Sequence, residues 1–484
     1  MSWSLARPAL FIAALLCLPT AAAHANGRLP GATGLAFHPT DEKQLLLSLT
    51  YGLALSRDGG ANWTWLCEQQ IDGNGGDIDP AAVMTSDGTL VVLALTNGGM
   101  LVSRDDGCTF ERPPGPLQRI RGVDLTLDPS QPGHVLALMV QPTAATDPAV
   151  PRYRSLVAHS LDHGRSWDVL SELPEGFIAQ TLELAPSDTR RIYVTGTSAT
   201  DPLEGMVERS DDGGLSWTQT TVRLPRGSGS LYLSAIHPRD PDRLWVRVPA
   251  RGDIYGVVPA KLWVSTDGGA RFEQVGETAK GGMLGFALSP DGDRIAFGGP
   301  LDGLFLAPSD ASEAPSKISD LVVSCLRWRS RGLYACALEP NAPFALGLAP
   351  EATQDFVPLW HRANTCRATC MPPSSLELRC QTPWEELAPL IGADAPVCDA
   401  SSSMPDASID AGSTVAEAGL DGGSRTVTEP KPARMPRASS SRGCGVTLDG
   451  ASRPWWLVAM LIVAICSRCR RPRPPKRTSP RPLP

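Results

Sequence analysis

Short apolar runs separated by turn residues recur from about residue 32 to residue 360. Runs of this length, bounded by glycine, proline, aspartate and serine, are typical of β-strands. They occur in pairs, which predict seven units. The predicted first strands are 35–38, 82–85, 123–127, 181–184, 231–236, 286–288 and 325–328. The predicted second strands are 44–49, 90–95, 135–140, 192–195, 244–248, 295–297 and 333–337.

A motif of the form Ser-x-Asp-x-Gly-x-x-aromatic follows another apolar run in each of the first five units. Its copies begin 47 to 57 residues apart, a period that suits a repeated supersecondary unit. Within the motif, aspartate can accept backbone N–H groups of a turn and glycine can adopt positive φ. The copies are Ser56, Asp58, Gly60, Trp63; Ser103, Asp105, Gly107, Phe110; Ser160, Asp162, Gly164, Trp167; Ser210, Asp212, Gly214, Trp217; and Ser265, Asp267, Gly269, Phe272.

This motif resembles the Asp-box, and the chain is similar to the bacterial-neuraminidase-repeat propellers, which include sialidases, sortilin-type domains and photosystem-assembly factors. The resemblance implies an all-β propeller over residues 26–365, in which each box is a structural turn between strands three and four. The spacing favours seven four-stranded blades, with six or eight as alternatives. The last two units lack an intact box.

Both ends of the chain carry features of export signals. Arg7, an apolar run over 9–18 and small residues up to Ala25 predict a cleaved secretory signal over residues 1–25, with an uncleaved anchor as the alternative. Residues 444–484 contain a short apolar helix, predicted over 455–466, followed by a basic tail. With Gly-Cys-Gly at 443–445, this end resembles the C-terminal sorting tails of myxobacterial surface proteins, which implies a membrane anchor and a processing or lipid-attachment point at Cys444.

Net charge and composition limit the kinds of partner and the domain organisation that this chain can have. The formal net charge is −7, yet eight cations and one acidic residue follow Gly443, so the body is acidic. An acidic body argues against nucleic acid as a partner. Residues 399–443 hold no aromatic residue and are rich in small and polar residues. They predict a disordered linker of about 37 Å r.m.s. length.

Outside the two terminal signals the chain has eight cysteines, an even number that suits disulfides in an exported protein. Cys325 and Cys336 are expected to pair across a hairpin, and Cys67 and Cys108 to join adjacent blades. The remaining four are expected to form a small module over 366–398 with two internal disulfides of open connectivity, with structural zinc as the alternative. They are Cys366, Cys370, Cys380 and Cys398.

Two further patterns suggest ligands. Oxygen-bearing residues at Asp72, Asn74, Asp77 and Asp79 could hold Ca²⁺, although a polar inter-blade loop is the favoured interpretation. Otherwise no cofactor is predicted. Arg28-Leu29-Pro30 is similar to the Arg-Ile-Pro of sialidases, but no tyrosine stands in a recognisable catalytic context, so no catalytic residues are predicted.

The connections between strands two and three lengthen in units three to five, to residues 141–154, 198–205 and 249–260. They should lie side by side on the face opposite the boxes, and loops on a rigid scaffold commonly carry binding residues. The candidate binding rim comprises Arg152, Tyr153, Arg154, Arg251, Asp253 and Tyr255. The sequence thus favours a surface-anchored, non-enzymatic scaffold for a protein or polysaccharide. The alternatives are a glycoside hydrolase and a structural envelope protein.

Overall fold

The computed structural model describes residues 29–72, 79–94, 98–143, 152–251, 258–339, 341–368, 370 and 375–393. Within this part of the chain the strands form seven sheets; six consist of consecutive strands, and the first also contains the last strand of the chain. This arrangement confirms the predicted all-β propeller and fixes the number of blades at seven. Every antiparallel sheet begins with the strand that lies closest to the channel and ends at the periphery.

The first four blades span residues 32–223. Blade 1 contains β1 (Ala32–Phe37), β2 (Leu45–Leu49), β3 (Gly52–Ser56) and β4 (Trp63–Cys67). Blade 2 contains β5 (Ala82–Met84), β6 (Leu90–Leu93) and β7 (Met100–Ser103). Blade 3 contains β8 (Arg121–Leu127), β9 (Val135–Thr143), β10 (Arg152–Ser160) and β11 (Asp168–Glu172). Blade 4 contains β12 (Phe177–Ala185), β13 (Asp188–Ser198), β14 (Glu204–Ser210) and β15 (Thr218–Arg223).

The remaining blades are regular. Blade 5 contains β16 (Tyr232–Ile236), β17 (Leu244–Val248), β18 (Lys261–Ser265) and β19 (Glu273–Glu277). Blade 6 contains β20 (Gly285–Leu288), β21 (Arg294–Gly299), β22 (Gly303–Pro308) and β23 (Ser316–Ser319). Blade 7 contains β24 (Val323–Arg329), β25 (Gly332–Ala337), β26 (Leu346–Ala349) and β27 (Val357–Trp360). Strand β28 (Thr365–Arg367) and helix α1 (Ser375–Ile391) follow.

The innermost strands form a closed ring around the channel. Each first strand contacts the first strand of the next blade, from β1 through β5, β8, β12, β16, β20 and β24 back to β1. Large apolar side chains fill the spaces between the sheets; Trp63, Trp245 and Trp360 are at most 1% exposed. Stability therefore rests on sheet-to-sheet packing around the ring.

Blade 2 departs from the four-stranded expectation. Where a fourth strand would follow its box, Val102 and Glu111 form a single antiparallel bridge. The chain here reads Glu-Arg-Pro-Pro-Gly-Pro from Glu111 to Pro116. Proline has no backbone N–H to donate to a ladder, so this sequence cannot extend the sheet.

All five boxes have the same hydrogen-bonded geometry. In the fourth box the Ser210 hydroxyl donates to Asp212 at 2.8 Å, and the Gly214 N–H donates to the Ser210 oxygen at 2.8 Å. Asp212 also accepts from the backbone N–H and the hydroxyl of Ser216. These donors lower the pKa of Asp212 to about 2, with the Ser216 hydroxyl as the largest cause. The boxes are local turns whose polar groups are satisfied within the turn.

Side chains on the face that carries the boxes, here called the box face, connect neighbouring blades. Arg57 of blade 1 pairs with Asp106 of blade 2. Further links between adjacent blades join Arg165 to Asp87, Ser130 to Thr189, Arg191 to Asp242, Arg239 to Asp293, and Ser330 to Glu42. Between blades 6 and 7 the Arg294 guanidinium lies 4.9 Å from the Trp328 ring centroid. The box face is thus occupied by contacts that align the blades.

The described residues after blade 7, from Thr365 to Ala393, are here called the closing segment. Its strand β28 adds in parallel to β4, the outer strand of blade 1, and α1 packs against the same blade with the Trp384 and Trp65 rings 5.6 Å apart. Cys370 and Cys380 belong to this segment. The chain therefore closes its ring by returning from blade 7 to blade 1.

The disulfides correct two of the pairings expected from sequence. Cys325–Cys336 is confirmed as a bond across the β24–β25 hairpin. The expected Cys67–Cys108 bond is wrong: Cys67 pairs with Cys380, and Cys108 pairs with Cys370. Because Cys370 and Cys380 bond to blades 1 and 2, the expectation of two disulfides within the module over 366–398 is wrong, and so is the zinc alternative. Cys366 is disulfide-bonded as well.

The predicted signal (1–25), Cys398, the linker (399–443) and the tail with Cys444 and helix 455–466 lie outside the described residues. In the described ranges, no helix has the length and apolar content needed to cross a bilayer.

We predict that removing both bonds of the closing segment loosens it locally. The variant Cys67→Ala/Cys108→Ala/Cys370→Ala/Cys380→Ala should lose about 2–5 kcal/mol of unfolding free energy, because native disulfides restrict the unfolded chain. Hydrogen exchange should accelerate in β28 and α1. The control Cys325→Ala/Cys336→Ala should leave exchange in β28 unchanged; equal acceleration in both variants would contradict this role.

We also predict that each box is maintained by its serine. Ser210→Ala removes the acceptor of the Gly214 N–H and a donor to Asp212, and should cost about 1–3 kcal/mol, measured by chemical denaturation. The matched control is Ser316→Ala, since Ser316 is exposed and makes a single long hydrogen bond of 3.4 Å to Leu306 O. A loss at Ser210 no larger than at Ser316 would refute the prediction.

Candidate functional site

The face opposite the boxes, here called the loop face, carries the connections between strands two and three and those between blades. It opens into a cavity of about 620 Å³, here called the mouth cavity. Its wall is formed by the beginnings of the first strands of blades 2 to 5, which all start on this face, and by residues of the second strands of blades 2 and 3 and the third strand of blade 3. This volume is within the range of small-ligand sites, about 300–1,000 Å³.

The mouth cavity combines an apolar wall with a few polar groups. Leu93, Val140 and Ile178 contribute apolar surface, while Tyr153 and Tyr232 add aromatic rings. Its other polar side chains are Arg121, Gln180 and Asp79. An apolar surface with a few oriented polar groups is the usual composition of a binding site.

The structure places one predicted rim residue, Tyr153, in this cavity. Arg154 instead forms an ion pair with Glu172 at 2.6 Å, and the Arg251 N–H donates to Gly227 O at 2.8 Å. The side chain of Arg152 and residues Asp253 and Tyr255 lie outside the described part of the structure. Of the predicted rim residues that the structure describes, Tyr153 alone lines the mouth cavity.

Two members of the predicted calcium cluster are described, and they have different surroundings. Asp72 forms an ion pair with Arg112 at 3.0 Å, and Asp79 lines the mouth cavity. Asn74, Asp77 and the sialidase-like Arg28 lie outside the described residues. Among the residues that the structure describes, no group of three or more metal-ligating side chains is found.

Below the mouth, two carboxylates project from neighbouring inner strands. Asp124 on β8 accepts from the Leu182 N–H of β12 at 2.9 Å and from the Leu125 N–H at 2.9 Å. Glu183 on β12 accepts from the Thr126 hydroxyl at 3.0 Å. Burial, reinforced by the charge of Glu183, raises the pKa of Asp124 to about 7. Burial also raises the pKa of Glu183.

Two arginines supply the opposite charge. Arg247, the cross-strand partner of Tyr232, donates to Ser234 Oγ at 3.1 Å and to Leu284 O at 2.8 Å. Burial and the charge of Arg327 lower the pKa of Arg247 to about 10. Arg327 donates from Nε to Leu35 O at 3.1 Å, which fixes the guanidinium beside blade 1.

These channel residues were not predicted from the sequence. Asp124, Glu183 and Arg327 each interrupt an apolar run that was interpreted as an inner strand. A charged residue inside such a run was the available signal. It could not reveal a shared site, because the three strands come together only through closure of the ring.

Similarity to known proteins is found among solved structures, at low sequence identity. No protein-family model matches the sequence, and no curated protein matches it. An ancestral GH74 enzyme is 13% identical, with a TM-score of 0.47 over 65% of this chain and 46% of that one, so the chain spans about half of that enzyme. The GH74 xyloglucanase from Xanthomonas campestris is 14% identical, with a TM-score of 0.30 over 68% of this chain and 64% of that one. The alpha-L-arabinofuranosidase from Fusarium graminearum is 13% identical, with a TM-score of 0.36 over 54% and 88%, respectively.

We predict that Asp124 makes stability decrease as pH rises. Its folded pKa of about 7 exceeds the ordinary value of 3.8, so the folded state holds the proton more tightly. Its contribution is complete below the unfolded pKa and is lost as pH rises through the folded pKa, by on the order of 2 kcal/mol. Asp124→Asn should reduce this decrease in denaturation series across that window and leave the part that Glu183 contributes, because burial raises the pKa of Glu183 as well.

Asp128 provides a control of opposite sign in the same blade. Burial would raise its pKa, but hydrogen bonds from Ser130 and His134 outweigh burial and lower it. Stability from Asp128 is therefore present above its unfolded pKa and is lost as pH falls through its lower folded pKa. Asp128→Asn should alter the acid side of the profile alone. A decrease towards neutral pH that is equally large in Asp124→Asn and in the unaltered protein would contradict the assignment.

Proposed function

We propose that this chain is an exported Asp-box propeller, displayed at the cell surface through its C-terminal segment, that binds a polysaccharide without cleaving it. The ligand would bind at the mouth cavity of the loop face. The observation that carries the proposal is the pair of tyrosines, Tyr153 and Tyr232, in a cavity of about 620 Å³ that also contains Arg121 and Gln180.

The chemistry of the mouth suits a sugar chain. A tyrosine ring offers a flat apolar surface with a polar end, and sugar rings have apolar faces edged by hydroxyl groups. Gln180 offers both a donor and acceptors, and Arg121 offers several donors. A protein partner is the other ligand class to be tested.

The opposite face supports the choice of the loop face. Its charged side chains are engaged in links between blades, such as Arg57 with Asp106 and Arg239 with Asp293. A ligand there would compete with contacts that align the ring. Export is supported by the disulfides, since such bonds persist mainly in oxidising compartments.

A glycoside hydrolase is the second candidate, because the pKa of Asp124 is raised to about 7, as a general acid requires. Against it, each oxygen of Asp124 already accepts a backbone N–H within the fold. These bonds orient both oxygens of Asp124 as acceptors, whereas a general acid must present a proton to the leaving group. Binding without hydrolysis is therefore preferred.

We predict that affinity for a polysaccharide depends on the mouth tyrosines. The full-length protein in detergent would be tested by affinity electrophoresis against a panel of soluble polysaccharides. Tyr153→Ala and Tyr232→Ala should each weaken binding by about 30-fold, since central aromatic contacts contribute 2 kcal/mol or more. Arg121→Ala should also weaken it, whereas its control Arg190→Ala, exposed at the box face, should not.

The same mixtures discriminate the alternatives. If the protein released reducing sugar and Asp124→Asn abolished this release, the protein would be a glycoside hydrolase and the binding proposal would be wrong. Unchanged binding by folded Tyr153→Ala and Tyr232→Ala would exclude the mouth as the site. Saturable binding of an envelope protein, with no polysaccharide bound, would show that the ligand is a protein.

A further inference from the structure

A second cavity lies deeper in the channel, beside the inner strands of blades 1, 2, 3 and 7. It measures about 410 Å³ and is here called the channel cavity. Ala81 lines both this cavity and the mouth cavity, so the two adjoin. One part of its wall is apolar, with Leu35, Val83 and Trp328, and its charged side chains are those of Asp124, Arg327 and Arg329.

The charges belong to opposite sides of the ring. Asp124 is on blade 3 and Glu183 on blade 4, whereas Arg327 is on blade 7. In a ring of seven, the position opposite blade 7 lies between blades 3 and 4. Arg327 therefore faces the two carboxylates across the channel.

These groups influence one another without touching. The charge of Arg327 acts on the pKa of both carboxyl groups, yet among the described residues no ion pair joins Arg327 to Asp124 or Glu183. The cavity lies between Asp124 and Arg327, which both line it.

Both charged ends are also held in position by the backbone. Two N–H groups orient the Asp124 carboxylate, and Leu35 O orients the Arg327 guanidinium through Nε. Carboxylate acceptors and guanidinium donors that are already oriented lose little freedom on binding a ligand.

We propose that the channel cavity binds a free α-amino acid with an apolar side chain, in its zwitterionic form. The ammonium group would donate to Asp124, with Glu183 adding negative charge, and the carboxylate would accept from the guanidinium of Arg327. The side chain would lie against Leu35, Val83 and Trp328. This site goes beyond the proposed polysaccharide function and depends on different residues.

The ligand class follows from the arrangement of charge. A purely anionic ligand would meet Asp124, with Glu183 adding negative charge nearby, and a purely cationic one would meet Arg327 and Arg329. A molecule that carries both charges matches both kinds of group. A free amino acid is the smallest such molecule that also has an apolar side chain, and its size suits a cavity of about 410 Å³.

The test is titration calorimetry of the full-length protein with L-leucine as the probe. Leucinamide, which lacks the carboxylate, and N-acetylleucine, which lacks the ammonium, should each bind at least about tenfold more weakly, because each loses a charge-assisted hydrogen bond. In Arg327→Gln the difference between leucine and leucinamide should disappear. In Asp124→Asn the difference between leucine and N-acetylleucine should disappear.

Arg243→Gln is the matched control, because the Arg243 guanidinium lies over the Trp245 ring, with its carbon 5.2 Å from the centroid, and is not among the residues that line the channel cavity. This control variant should still bind leucine more tightly than leucinamide and more tightly than N-acetylleucine. Leucinamide binding as tightly as leucine to the unaltered protein would overturn the proposal, as would the absence of saturable leucine binding at millimolar concentration. Because the two derivatives are compared on the unaltered chain, the test stands even if a variant fails to fold. The mouth variant Tyr232→Ala should keep leucine binding, which separates this site from the polysaccharide site.

Discussion

Closure of a ring from a chain with two separate ends is the constraint on which this structure depends. Each blade is formed by consecutive strands, so no blade combines the first and last parts of the propeller. Blades 7 and 1 must therefore be joined by other means. On the inside, Ser324 donates to Ala32 O at 2.7 Å and Arg327 to Leu35 O at 3.1 Å. On the outside, the closing segment adds β28 to blade 1 and is covalently fixed to blades 1 and 2.

The two faces of the ring meet this constraint differently. On the box face, local turns satisfy their own polar groups and leave arginines and aspartates to link neighbouring blades. On the loop face, the strand ends diverge around the mouth cavity, and the inner strands contribute tyrosine, glutamine and arginine to it. Alignment of the blades and ligand binding are thus assigned to opposite faces, so ligand contacts need not disturb the contacts between blades.

Much of the fold could be predicted from the sequence because its signals are local. The spacing of Ser-x-Asp boxes and paired apolar runs determines the blades, and Cys325 and Cys336 lie symmetrically about a short turn. The partners of Cys67 and Cys108 could not be predicted, because they depend on the path of the chain after blade 7. The same limit applies to the candidate site. Tyr153 was found because it lies at the end of a lengthened connection, at the start of β10, whereas Asp124 and Arg327 come together only across the closed ring.

The charges in the channel are not explained by stability alone. Removing charged groups from water is costly, and well-packed apolar side chains commonly stabilise a protein as well as a buried ion pair does. Asp124 and Arg327 lack even a direct pairing that would offset this cost. Thr181, on the inner strand of blade 4, shows that a neutral side chain can link two inner strands, since its hydroxyl oxygen accepts from the Leu233 N–H at 2.9 Å. A carboxylate at position 124 is therefore more than the link between blades requires, and the excess charge is available to a ligand in the channel cavity.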